Sequence, residues 1–315
     1  AGCSAITYFM ITGLYESLIT EQLKQKLATL DRNKYFIADG KKLDSAEAIR
    51  FLSQHLGRAI QTAFQLVTNK DKESPISRQI DIANKILLYL TDQIEAYKVQ
   101  EDLIAAEGLI LQGVIDKLSC EYTDMAGYLK EITPLSRLTQ SELFTGGNVG
   151  LSLDSELKKE IRSADRIDLL VSFIKWKAIV ILKAAFKEFT DRGGRLRVIT
   201  TTYMGATDAK ALEALSMLKN TTVKVSYNQT NERLHAKAYL FYRNTGFHTG
   251  YIGSSNFSRS ALTDGLEWNV KITTAEIPQI IDKFQKTFES YWNNEEFETF
   301  DLSQSAKLNK ALSEN

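Results

Sequence analysis

The sequence predicts an α/β protein in two parts, an N-terminal helical domain followed by a mixed α/β domain, and three observations carry that reading. Apolar residues recur at steps of three and four through the first hundred residues. Beyond about residue 150, short runs rich in Val, Ile and Leu alternate with segments of helical period. The 315 residues are 43% hydrophobic with only three prolines, enough chain and apolar content for two cored domains and too ordered a composition for a disordered chain.

Taken in order, Ile19, Leu23, Leu27 and Leu30 mark a first helix opening near Leu14-Tyr15-Glu16, and a gap from Tyr35 to Asp44 carries the Gly40 break. Ala46 to Phe64 reads as a second helix. A third begins at Ser74-Pro75, a capping residue followed by proline, and continues through Ile76, Ile80, Ala83, Leu87, Leu90 and Ile94. Leu103 to Leu118 is expected to add a fourth, and these helices to share one core. A polar region with Pro134 and the Gly146–Gly150 cluster then separates the parts, which places the helical domain at 1–135 and the α/β domain at 136–299.

In the second part, Arg166–Phe173 and Arg195–Thr201 read as strands around a helix marked by Ile179, Leu182, Phe186 and Phe189, which stops at Gly193-Gly194. A helix over Asp208–Leu218 is followed by strands at Thr222–Tyr227, Leu234–Tyr242 and Gly250–Gly253. A short helix after Phe257 and a strand over Leu266–Thr273 come next. Ile277, Ile281, Phe284, Phe288 and Tyr291 define the closing helix, and 300–315 is expected to be a polar tail or linker.

The net charge is zero, but the basic excess lies in 151–271 while the flanking segments are acidic, a distribution suited to a phosphate-bearing polyanion. Cys3 and Cys120 are the only cysteines and no zinc spacing occurs, so no metal is expected and cytoplasmic conditions are. The opening AGCSAITYFMIT lacks a basic region and a cleavage pattern, and no run is long enough to span a membrane. The missing initial Met suggests an excised fragment or a tag scar. The Gly146–Gly150 cluster lacks the Lys and Ser/Thr of a phosphate-binding loop, so no ATP site is expected.

The chemistry concentrates in 233–270. His235 and Lys237, two apart on a strand, project to the same face and form one site. Gly253-Ser254-Ser255-Asn256 falls where the next strand ends and a helix begins, supplying hydroxyl, amide and helix N-terminal N–H groups for a phosphate. Glu267, on the last strand, is placed to accept the other ring N–H of His235. Lys175, Trp176 and Tyr203 follow strands at the edge where α/β sheets bind ligands and, with Arg233 and Arg259, are candidates for a nucleic-acid groove, with loop packing or solvation as the alternative. His55 and His248 have no partner in sequence and are read as structural.

His-x-Lys followed by Gly-Ser-x-Asn and Glu resembles the phospholipase D superfamily. That resemblance implies a phospholipase D-like mixed β-sheet sandwiched by helices, a covalent phosphohistidine and no cofactor or metal. His235, Lys237 and Glu267 would be catalytic, and Ser254 and Asn256 would bind phosphate. Tyr242 stands where the pattern has Asp, and Lys237 is four residues further from Gly-Ser-x-Asn than the pattern has it, with Arg243–Gly246 read as an added hairpin. GLYESLITEQL, LLVSFIKWKAIVILKAAFKEF, GGRLRVITTTYMGATDAKALEAL and YWNNEEFE are similar to the N-terminal region of bacterial superfamily-two DEAD/DEAH-type helicases, which implies an ATP-dependent motor in a longer protein. The leading expectation is a DNA phosphodiesterase, with RNA as the other nucleic acid. One His-x-Lys for a two-histidine reaction implies a homodimer with a shared site. A non-cutting DNA-binding and dimerising module is the alternative, and a lipid phosphodiesterase ranks last.

Overall fold

The computed structural model describes residues 12, 14, 16–37, 42–67, 74–96, 102–116, 122–146, 152–228, 234–263 and 267–313. Its contacts divide the chain into two compact units, Ala1–Gln112 and Gly113–Asn315. The first holds α1 (Glu21–Ala28), α2 (Ser45–Gln65) and α3 (Pro75–Gln93). Thr20 Oγ1 accepts from Leu23 N at 3.2 Å, and Ser74 Oγ from Ser77 N at 3.2 Å, with Pro75 at the first helical position.

Two expectations are corrected in this unit. None of its described side chains is buried, and Ile49, Leu52, Leu56 and Ile76 are exposed, so the apolar stripes of α2 and α3 do not close into a shared core. Residues 103–116 are not helical. Instead the Asn84 amide imitates a backbone partner, donating to Ile104 O at 2.9 Å and accepting from Ile104 N at 2.8 Å, and Gly108 takes a φ of +58° that a helix cannot use.

The second unit runs α4 (Met125–Ile132), β1 (Glu142–Phe144), α5 (Leu153–Ser163), β2 (Arg166–Val171), α6 (Trp176–Asp191), β3 (Arg195–Thr201), α7 (Ala209–Ser216), β4 (Thr221–Ser226) and β5 (Lys237–Tyr242). It continues with β6 (Thr249–Gly253), α8 (Arg259–Leu262), β7 (Asn269–Thr273), α9 (Pro278–Trp292), β8 (Phe297–Phe300) and α10 (Ser305–Ser313). The strands form one mixed sheet in the order β1-β7-β6-β5-β2-β3-β4-β8, with β2, β3 and β4 parallel and the other pairings antiparallel. One face, carrying Leu169, Val198, Val223 and Tyr239, packs on Leu157 and Ile161 of α5, Leu182 and Phe186 of α6, Leu212 of α7 and Leu308 of α10. The other, carrying Leu170, Ile199 and Leu240, packs on Ile281 and Phe288 of α9. Burial on both faces accounts for the near-continuous apolar runs of β2 and β5.

Two boundaries and one helix differ from the sequence reading. Residues 113–135 go with the second unit rather than the first: Asp124 caps α4, and Lys159 of α5 donates to Lys130 O at 2.8 Å and Glu131 O at 2.7 Å, tying α4's last carbonyls to α5. The expected tail at 300–315 is instead structured, since β8 pairs with β4 and α10 buries Leu308 completely. A four-residue strand buried only at its two ends has no alternation to detect, and a helix fixed largely by one leucine has little period. Helix α5 lay hidden because its buried face is Leu153, Glu156, Leu157, Glu160 and Ile161, an apolar stripe interrupted twice by acid.

Candidate active site

Strand register gathers the motif at one edge of the sheet. Val171, the last residue of β2, pairs with Lys237, the first of β5, and Gly253 at the end of β6 pairs with Asn269 at the start of β7. That edge is also where the parallel strands β2, β3 and β4 end, so the loops carrying Lys175, Trp176 and Tyr203 open on the same side. His235 precedes β5 by two residues yet stays in line with it, because Ser172 N donates to Ala236 O at 3.0 Å and extends the β2–β5 pairing.

Lys237 is 7% exposed and His235 is open to solvent. The ammonium Nζ lies 3.1 Å from both Nδ1 and Nε2 of the imidazole and donates to His235 O at 3.1 Å. Which ring nitrogen accepts depends on the tautomer, and the contact sets an exposed imidazole beside a fixed cation. Burial pulls the Lys237 pKa down, and the Glu267 carboxylate opposes that fall.

The Gly-Ser-x-Asn segment forms a turn rather than a helix N-terminus, since α8 begins only at Arg259 and has four residues. Ser254 extends the β6–β7 ladder: its N–H donates to Trp268 O at 3.0 Å, and its Oγ accepts from Trp268 N at 3.0 Å. Asn256 is half-buried, with an Oδ1 that has no hydrogen-bond partner, so its amide is not committed to holding the turn. Gly253 is required sterically, because a Cβ there would lie 2.1 Å from Trp268 O and 2.4 Å from Asn269 Oδ1. Glu267 precedes β7 by two residues; among the described residues it does not hydrogen-bond to His235, and its charge is felt at Lys237 and at the Tyr239 hydroxyl.

Three residues that hold the turn escaped the sequence reading. The Tyr239 hydroxyl donates to Ser255 O, Asn269 Nδ2 donates to Ser255 Oγ at 2.7 Å, and that Oγ donates to Ala261 O at 3.3 Å. All three are buried. The period-two rule could have found two of them, since Tyr239 follows Lys237, and Asn269 follows Glu267, by two positions.

The groove candidates do not assemble into a free stacking surface. Lys175 Nζ is 3.3 Å from Asp208 Oδ1, and Trp176 packs against the core with Lys210 Nζ 4.3 Å from its ring centre. Tyr203 is half-buried in a 3-10 turn, Arg259 is exposed at the start of α8, and Arg233 lies outside the described residues. Backbone bonds pin the loop after β2 to the turn after β6: Phe257 N donates to Phe173 O at 3.1 Å and Lys175 N to Phe257 O at 2.7 Å. Tyr242, at the position of the expected Asp, ends β5 at the opposite edge of the sheet under the Arg166 guanidinium, so that departure removes no group from the site. His248 lies away from this site, its Nδ1 accepting from Arg243 N at 3.1 Å.

A His-x-Lys strand end facing a Gly-Ser-x-Asn turn at one edge of a helix-covered mixed sheet defines the class of phospholipase D-like phosphodiesterases, which are hydrolases. Residues 157–292 match the family model described as cardiolipin synthase, PLD-like domain, and the second unit contains a domain of that phospholipase D-like family. No curated protein matches the chain. Among solved structures it is similar to Nuc from Salmonella typhimurium (18% identity, 51% of this chain and 99% of that one, TM-score 0.40). It is also similar to NucT from Helicobacter pylori (17%, 51% and 99%, TM-score 0.37) and to the archaeal chromatin protein TrmBL2 (12%, 88% and 82%, TM-score 0.33). No helix among the described residues is long and apolar enough to cross a membrane.

Proposed function

We propose that the phospholipase D-like domain cleaves DNA phosphodiesters without a metal, using His235 as nucleophile. The observation that carries this is the buried Lys237 ammonium 3.1 Å from both ring nitrogens of an exposed His235, a nucleophile and a fixed cation in one place. The imidazole lone pair forms a P–N bond as the P–O ester bond breaks, and water then hydrolyses the phosphohistidine. Lys237 and Asn256 hold the non-bridging oxygens with Ser254, and Glu267 acts through its charge on Lys237. The basic excess of 151–271 and the likeness to helicase N-terminal regions support DNA as the polyanion, with an ATP-driven motor following in a longer protein.

The departing oxygen needs a proton from a second imidazole, and the proposed source is His235 of a second copy across a two-fold axis. A surface for that copy is available beside the site. Leu143, Val270 and Ile252 are cross-strand neighbours on β1, β7 and β6, and with Trp268 they form an exposed apolar row on the sheet face that α9 leaves open.

The test is incubation of the full chain with labelled DNA, RNA and phosphatidylcholine in EDTA, beside a His235→Ala control. DNA cleavage in EDTA that falls at least about 1,000-fold in the variant is expected. DNA binding without cleavage would establish the recruiting module instead, and cleavage confined to phosphatidylcholine would make the substrate a lipid.

A further inference from the structure

The edge of the sheet away from His235 carries a second polar cleft, of about 550 Å³, between the start of β2, the α6–β3 turn and the end of β5. Seven residues along an extended strand separate His235 from Tyr242, roughly 23 Å, so this cleft is distinct from the candidate active site. It is lined by Arg166, Arg192 and Arg243 against one lining carboxylate, Asp165, whose Oδ2 already accepts from Asn244 N at 2.7 Å.

The cations differ in how far they are committed. Arg243 is neutralised by Glu160 and bonded to Ser163 Oγ, but its buried Nε has no partner. Arg192 donates only to the carbonyls of Arg162 and Ala164, which leaves its charge unpaired by any carboxylate among the described residues. Arg166 stacks on the Tyr242 ring at 3.7 Å, and its Nε, 3.7 Å from Asp168 Oδ2, makes no hydrogen bond; the buried Tyr242 hydroxyl makes none either. Because His248 Nδ1 accepts from Arg243 N, its proton sits on Nε2 as a further donor. Burial lowers the His248 pKa, and the charges of Arg243 and Arg166 lower it further against a smaller opposing effect of Asp282, so the field here is positive.

The guanidinium of Arg192, with no carboxylate partner among the described residues, and that of Arg166, whose side chain is 29% exposed, border the open volume and fit a tetrahedral oxyanion, whose oxygens match the guanidinium fork. We propose that this cleft binds the phosphate of a phosphomonoester, held by Arg166 and Arg192 with His248 Nε2–H and the Asn244 amide as neutral donors. The site stands independently of the phosphodiesterase reading. Its volume exceeds what one phosphate fills and leaves room for an attached nucleoside.

Calorimetric titration of the full chain carrying His235→Ala, with inorganic phosphate and separately with adenosine 5′-monophosphate at matched ionic strength, tests this. One equivalent is expected to bind, with affinity reduced at least tenfold in Arg166→Gln and in Arg192→Gln. Tighter binding of the nucleotide would identify a nucleotide as the source of the phosphate, and equal binding the free anion. To guard against a variant that fails to fold, amide chemical shifts of the His235→Ala chain are followed during the phosphate titration, with movement expected at Gly193, Gly194 and Asn244. No binding, binding unchanged by both arginine substitutions, or shifts confined to 253–256 would overturn the proposal.

Discussion

Lys237 stands between opposed influences: burial favours its neutral amine, while the Glu267 carboxylate favours the ammonium. If the ammonium holds the substrate phosphate, Glu267→Gln removes the support and the Lys237 pKa falls further. The alkaline limb of kcat/KM against pH is then expected to move to lower pH, with turnover near neutrality reduced about tenfold and DNA affinity changed less. A pH profile that keeps its alkaline limb would reduce Glu267 to a packing residue. At this scale the sequence was legible where chemistry repeats every second position, as in His235 and Lys237. It was not legible at Ser255, whose importance comes from Tyr239 and Asn269 reaching it from two strands.

Helix α5 owes its place to charge as much as to apolar packing. Burial pushes the Glu160 carboxyl up, but the Arg243 and Lys271 charges, with hydrogen bonds from Arg243 and Thr249, overcome it and hold the pKa at about 2. Lys271 is itself fully buried, 2.9 Å from Glu160 and 3.1 Å from Glu156, and donates to Ser136 Oγ and Arg137 O at 2.7 Å. A carboxyl whose folded pKa is depressed contributes stability that is complete above the unfolded value near 4.5 and lost as pH falls through about 2. Glu160→Gln, which strands Arg243, is expected to cost on the order of 3 kcal/mol at pH 7 in urea unfolding, with the gap to wild type narrowing below pH 4.5. A gap constant down to pH 2.5 would mean that the charge contributes nothing and shape alone holds α5.

For the whole molecule the expected assembly is a two-fold dimer whose one active site takes an imidazole from each copy. When wild-type and His235→Ala chains exchange fully at equal amounts, random pairing leaves about one quarter of the activity, because mixed pairs lack either nucleophile or acid. Retention of about one half, or an active monomer by light scattering, would show that each chain works alone. The sequence by itself determined the order of strands and helices from β2 to α9, the shared face of His235 and Lys237, and the place of Gly253 to Asn256 at the end of a strand, because each is set by spacing within a few residues. Only the tertiary structure decided that α5 buries two glutamates and that 305–313 is a helix packed on the core. The burial of the glutamates depends on Lys271 and Arg243, some eighty or more positions away in sequence, and no local period encodes which distant charge will stand opposite a buried one.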